Sequence, residues 1–282
     1  MNLSFRRKAV NAVMLTLTGV CTVLVAGSLL VILGYLAWNG LASLNVEFFT
    51  KLPTPPGEMG GGMANAILGS AKVLLVAMLI GVPIGFMAAV YLAEFGSGSF
   101  SGVVRYATDL LNGVPSIVIG IFAYAIIVLP MRHPSTFAGG VALGIMMIPI
   151  ALRTTEEFLR AVPVSLREGA MALGASRSRT IFTVVIPAAK SGILSGLMLN
   201  LARVAGETAP LLFTTLGNPF WSVGWMQPTA TLPQMIFTYA ISPYDDWRRQ
   251  AWAAGFVLLV LVLTVNAAAR FTIGRTSARG RS

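Results

Sequence analysis

The chain has 282 residues, is 56% hydrophobic and only 11% charged, against about 25% charge in an ordinary soluble domain, so a soluble globular fold is excluded. A formal charge of +10, from 20 Lys and Arg against 10 Asp and Glu, would suit nucleic acid only if those residues formed one binding patch. One cysteine, Cys21, and one histidine, His133, exclude a disulfide framework, a zinc cluster and bis-His haem ligation.

Apolar runs fall at 13–37, 66–93, 110–130, 137–152, 192–216 and 250–269. A span needs about 20 apolar residues to cross a core of about 30 Å, so an all-α integral membrane protein with six transmembrane helices is expected. The first run follows a basic start, but its apolar length exceeds the 7–15 residues or so of a cleavable leader, so it reads as a retained span. After it, "LPTPPGEMGGG" carries too much Pro and Gly for helix or strand and reads as a linker. Lys72 lies near the outer end of the second run and is expected to snorkel. His133, between Arg132 and Pro134, reads as a surface residue in a short turn.

The fourth run is short and crosses only if its helix continues through Arg153, whose side chain reaches the interface as a topology anchor. Gly139, Gly140 and Pro149 predict a bent, closely packed helix there. Between this run and the next, 154–190 is punctuated like a pair of short helices. Ser165 and Glu168 match a capping box, Gly174 suits a left-handed C-terminal cap, Ser176 caps a second helix and Pro187 ends it. Outward of the fifth run, Trp221, Trp225, Tyr239, Tyr244 and Trp247 suit the membrane–water interface.

With six spans both termini share a side, and 14 of the 20 basic residues fall there, among them Arg153, Arg160, Arg167, Arg177 and Arg179. Lys51, Arg132, Arg248 and Arg249 fall opposite. The positive-inside rule then places both termini in the cytoplasm. The organisation expected is residues 1–65 as basic segment, first span and linker, 66–270 as the transmembrane domain, and 271–282 as a basic tail.

Two charges lie inside the fifth run. At 1.5 Å per residue, Arg203 sits about 16 Å in from Gly192, close to the midplane, with Glu207 one turn beyond. A charge at that depth costs about 2.5–3.5 kcal/mol and so faces a cavity, a partner or a pathway. The two form either a structural pair or a solute contact, and the order Arg before Glu is the less favourable one for a helical pair. A midplane arginine suits a tetrahedral oxyanion, which its planar donors grip through two bonds. A nearby carboxylate would accept a hydrogen bond from the proton-bearing oxygen of hydrogen phosphate and repel an oxyanion without such a proton, such as sulfate.

The stretch "EGAMALGASRSRTIFTVVIP", Glu168 to Pro187, resembles the cytoplasmic signature of the permease subunits of bacterial ABC importers. Glu168, Ala170, Gly174 and Pro187 fall on that pattern, whereas Gly169, Val184 and Ile186 depart from it conservatively. "ARVAGETAPLLFTTLGNPFW", "LNGVPSIVIGIF" and "LRTTEEFLRAVPVSLREGAMALGASR" resemble the phosphate-specific branch of that family. The resemblance implies the type I importer architecture, with a coupling helix between spans four and five carrying Glu168, Ala170, Gly174 and Pro187. It also implies that Arg153 and Arg203 serve phosphate transit. The implied partners are a paralogous permease, two ATPase subunits and a periplasmic or lipid-anchored phosphate-binding protein.

No G-x-x-x-x-G-K-[ST] loop occurs, so no cofactor is expected on this chain, and ATP and Mg belong to the ATPase. Alternatives are a permease for molybdate or sulfate, an intramembrane enzyme, or a scaffold. One His in an outer turn serves neither an intramembrane serine protease nor a metalloprotease. A scaffold leaves Arg203 and the loop signature unexplained.

Overall fold

The computed structural model describes residues 3–279, with side chains described for 6–267, and its regular elements are all helical. The basic tail expected at 271–282 therefore has its side chains outside the described residues, although the last helix carries the backbone through Arg279. The helices are α1 (Leu3–Ser43), α2 (Val46–Thr50), α3 (Ala64–Glu94), α4 (Ser99–Gly113), α5 (Ser116–Ala123), α6 (Leu129–Met131) and α7 (Thr136–Arg160). They continue with α8 (Val164–Ala172), α9 (Arg177–Thr180), α10 (Ile186–Ala205), α11 (Ala209–Thr214), α12 (Leu232–Ala240) and α13 (Asp245–Arg279). Five are long and apolar enough to cross a membrane, and six spans result if α4 and the α5–α6 segment count as one bent span.

Helix α7 is the centre of the bundle. Most of its apolar length is buried, whereas the apolar length of α1 has no fully buried residue. Its main partner is α3, and the seam between them is made of small residues. A Cβ on Gly81 would lie 2.5 Å from Cβ of Met147 and 2.9 Å from the Gly144 carbonyl oxygen, and one on Gly85 2.7 Å from Cβ of Ala151. From the α7 side, a Cβ on Gly140 would meet Cβ of Val76 at 2.4 Å, so the close packing expected of that glycine is present. Apolar side chains gain little by leaving lipid for each other, and tight backbone approach is what such a seam supplies instead. Gly81→Leu is accordingly expected to destabilise the bundle by about 1–3 kcal/mol from overpacking, read as lower membrane accumulation and a lower unfolding midpoint in detergent. An unchanged midpoint would show that the seam is loose.

Two runs are broken where the sequence reading has one helix each. The third run divides between α4 and the α5–α6 segment, which meet at a bend of 101°. Pro115 disfavours helix at the residue before it, and Val114 is extended there at φ −71° and ψ 128°. The fifth run begins earlier than expected, at Arg177, and stops at Ala205. Residues 206–208 are not helical, and α11 resumes at Ala209 with Pro210 in its first turn.

Two π-helical turns, Tyr124–Val128 and Ile181–Val185, each precede a proline by two residues, Pro130 and Pro187. Leu129 N–H donates to the Tyr124 carbonyl and Ile186 N–H to the Ile181 carbonyl, one residue farther back than in an α-helix. The wider turn makes room for the proline ring and the missing donor. Pro187 therefore does not end the second loop helix, contrary to the sequence expectation: the helical path continues through it from Arg177 to Ala205.

The two ends of the bundle differ in chemistry. At one end the segments around 45–63 and 216–231 fold over the helix tips, where Asn65 Nδ2 donates to the Asn218 carbonyl at 2.6 Å and the Leu232 N–H to Ser70 Oγ at 2.7 Å. Lys72 reaches this end, donating to the Ser222 carbonyl and lying 5.8 Å from the Trp225 ring centroid, so it bends outward as expected. Trp221, Trp225 and Tyr244 are exposed there, and so is His133. Tyr239 departs from the interfacial expectation: it is buried and stacks on Trp247 with centroids 4.2 Å apart. The opposite end carries Arg105, Arg153, Arg160, Arg167 and Arg177 with their carboxylate and carbonyl partners.

Candidate functional site

Helices α7, α10 and α13 enclose a cleft of about 990 Å³. Thr154, Ser195, Asn200, Arg203 and Asn266 supply its polar lining among apolar side chains such as Phe158. α10 approaches α7 through Gly192 and Gly196, where a Cβ would lie 2.1 Å from Phe158 and 1.9 Å from Thr154. One turn beyond, Asn200 is buried and donates through Nδ2 to the Met147 carbonyl at 3.0 Å, near the middle of α7. Arg203 follows, exposed to the cleft and, among the described residues, in no ion pair. A smaller crevice of 180 Å³ between α3, α10 and α13 is apolar apart from Asn266 and offers an ion nothing.

Glu207 does not stack on Arg203 as the unbroken-helix reading requires. Arg203 is in the last turn of α10, whereas Glu207 lies in the break, its N–H donating to the Val204 carbonyl at 3.1 Å. Gly206 and Pro210 flank that break, and together they weaken and then forbid the α ladder. Irregular backbone at such depth persists where it is covered by protein or lines a cavity. Glu207 is half-buried.

Arg153 is not at a helix end. It lies seven residues before the last residue of α7, and Asp109 of α4 accepts from its Nε at 2.9 Å and from a second guanidinium nitrogen. Its neighbours Ile150 and Thr154 line the cleft but Arg153 does not, so Arg153 and Arg203 are not brought together. Between α4 and α7 stands a residue the sequence reading passed over. Glu156 is buried, with Oε1 2.7 Å from Arg105 Nε and 3.0 Å from an Arg160 nitrogen, and Oε2 3.8 Å from Arg153. Its spacing of three from Arg153 and four from Arg160 was the available signal.

The loop between α7 and α10 forms the two helices expected, with one change at its start. α8 begins at Val164 after Pro163, so Ser165 lies inside the helix and the capping box does not form. Glu168 is consequently exposed on α8, with Ala170 two residues on and half-buried. Gly174 has φ +83°, its N–H donating to the Met171 carbonyl and the Ala175 N–H to the Ala170 carbonyl, the double bond pattern of a Schellman cap. Ser176 caps α9 by accepting from the Arg179 N–H at 3.4 Å. Leu173 is 91% exposed at the tip of the loop.

The bundle of long apolar helices, the polar cleft between three of them and the capped helical loop at the basic end fit a membrane permease. The family model for the binding-protein-dependent transport system inner membrane component matches residues 81–277. The chain is 47% identical over 233 residues to a phosphate transport system permease protein PstA of Yersinia pestis, covering 82% of this chain and 79% of that protein. A PstA of Xylella fastidiosa is 44% identical, over 94% of this chain and 93% of its own, and one of Haemophilus influenzae 43% identical, over 92% of each. Among solved structures, the inward-facing MetNI methionine ABC transporter is similar at TM-score 0.60 and 18% identity, over 76% of this chain and 96% of that one. A bacterial ABC transporter involved in alginate import gives TM-score 0.61 at 13% identity, over 96% and 97%. The chain belongs to the PstA family of inner-membrane transport permeases, and its fold is that of the type I ABC importer permeases.

Proposed function

We propose that this permease carries inorganic phosphate through the cleft of α7, α10 and α13 in an ATP-driven importer, by alternating access. The names of the relatives supply the cargo class, and the observation that carries the reading is Arg203, exposed to a polar cleft with no carboxylate partner among the described residues. Its planar fork would take two phosphate oxygens. Glu207, in the break beyond, would accept a hydrogen bond from the protonated oxygen of hydrogen phosphate. Arg153 would meet the anion only after Asp109 releases it.

The basic end faces the cytoplasm in this reading, with both chain termini, in keeping with the excess of Arg and Lys there. Glu168, Ala170, Gly174 and Pro187 shape the loop that docks on a separate ATPase, and Leu173 is its exposed apolar tip. A paralogous permease completes the pathway, two ATPase subunits supply ATP and Mg, and a periplasmic or lipid-anchored phosphate-binding protein delivers the cargo.

Proteoliposomes holding the complete transporter are expected to accumulate radiolabelled phosphate only with ATP and binding protein present. Uptake of sulfate or molybdate in place of phosphate would overturn the cargo assignment. Gly174→Val places a branched residue at positive φ, at a cost of about 1–2 kcal/mol, and is expected to abolish co-purification of the ATPase while the permease still reaches the membrane. Undiminished co-purification would remove the docking role of the loop.

A further inference from the structure

The C-terminus of α3 lies between the two arms of the loop and is held from both. Glu94, the last residue of α3, is largely buried, and its Oε1 accepts from an Arg167 guanidinium nitrogen at 2.9 Å. Arg167 is itself largely buried, belongs to α8, and donates from the same nitrogen to the Leu159 carbonyl at 2.7 Å and from the other to the Val162 carbonyl. It thus ties three segments at one point: α8, the end of α7 and the end of α3. From the other arm, Arg177 at the start of α9 donates to the Glu94 backbone carbonyl and stands over the Phe95 ring, 4.7 Å from its centroid.

Breaking the Glu94–Arg167 pair costs more than breaking a surface ion pair. Taking one partner away leaves a buried charge uncompensated, and carbonyls at a helix end lose their donor. Val164, Leu166 and Met171 on α8 are exposed, as is Leu173 just after it, so the apolar cluster that Val90 and Ala93 of α3 share with Val162 and Val185 holds the base of the loop and does not include α8. The guanidinium contacts are also directional, so they fix the angle of α8 as well as its position.

We propose that Glu94, Arg167 and Arg177 form a transmission latch, a set of positioning residues that makes α8, α9 and the end of α3 move as one body. The proposal rests on the reading of this loop as the ATPase docking element. Movement of the loop then passes directly to α3, and through the glycine seam to α7 and the cleft. Without the latch, the loop still docks but swings on its connections to α7 and α10 and leaves α3 behind.

The test uses the complete transporter with Cys21→Ser and spin labels at Val164→Cys on α8 and Leu79→Cys on α3, both exposed positions. The distance between the labels is expected to stay the same with and without a non-hydrolysable ATP analogue. In Arg167→Met it is expected to change between the two states, while the ATPase still co-purifies and binding-protein stimulation of ATP hydrolysis falls about tenfold. Arg167→Lys, which keeps a charged donor, restores part of that stimulation, and Glu94→Gln, which keeps the size of the side chain, serves where Arg167→Met fails to accumulate. A label distance that changes in the unmodified latch, or stays fixed in both Arg167→Met and Glu94→Gln with stimulation intact, overturns the latch. The distances are read without any cargo, so a failure of phosphate uptake in the parent protein would count against the cargo assignment alone.

Discussion

Arg203→Gln is expected to lower phosphate uptake by about 10- to 100-fold, the equivalent of losing a charge-assisted hydrogen bond of about 1.5–3 kcal/mol. The protein should still reach the membrane at its usual level. Arg203 is the last-turn residue of α10 and makes no ion pair among the described residues, so its removal leaves no carboxylate stranded. Ordinary stability with lost uptake is the signature that separates a cargo contact from a structural charge. Arg203→Lys should recover only a fraction, because a point charge replaces a two-pronged donor. Normal uptake by Arg203→Gln would empty the cleft of its proposed role.

Glu156→Leu is expected to have the largest effect on stability, about 3–5 kcal/mol, because it strands arginines around a buried position. Arg105 and Arg160 share Oε1 of Glu156, and Arg153 lies 3.8 Å from Oε2. Arg160 is half-exposed and contributes little, so the loss falls on Arg105, which joins α4 to α7. Limited trypsin digestion at Arg105 should accelerate as α4 lifts, and the unfolding midpoint in detergent should drop. Equal stability of the Leu variant would show that α4 is held by its other contacts, Asp109 with Arg153, Arg105 with the Leu92 carbonyl and Val104 against Leu92.

These two residues were unequally visible before the structure. Arg203 stands out because a charge within an apolar run is anomalous by its own position, and no neighbour in space is needed to notice it. Glu156 sits among other charges, and its burial arises only when α4 folds back across α7. The left-handed Gly174 was legible for the same local reason as Arg203: the turn is decided within a few residues. The Ser165 capping box was legible too, and wrong, because Pro163 allowed the helix to start before Ser165 could cap it.

The existence of the spans followed from hydropathy, but their interruptions did not. Averaging over an apolar window hides Pro115, Gly206 and Pro210, whose effect is on backbone geometry while their surroundings remain apolar. The cleft residues Thr154, Ser195 and Asn266 escaped notice because small or neutral polar groups are common in membrane helices. Only the approach of α7, α10 and α13 gathers them around Arg203.

The π turn at Ile181–Val185 stands some twenty residues before Arg203 and touches neither cleft nor cargo. Each residue of an α-helix advances the side-chain direction by about 100°, so one surplus residue sets the angular phase of everything downstream. The face on which Ser195, Asn200 and Arg203 meet the cleft is thus registered by a fault in the winding ahead of Pro187. In this chain the compass bearing of Arg203 is fixed at the basic end of the bundle, several turns before the helix reaches the cleft.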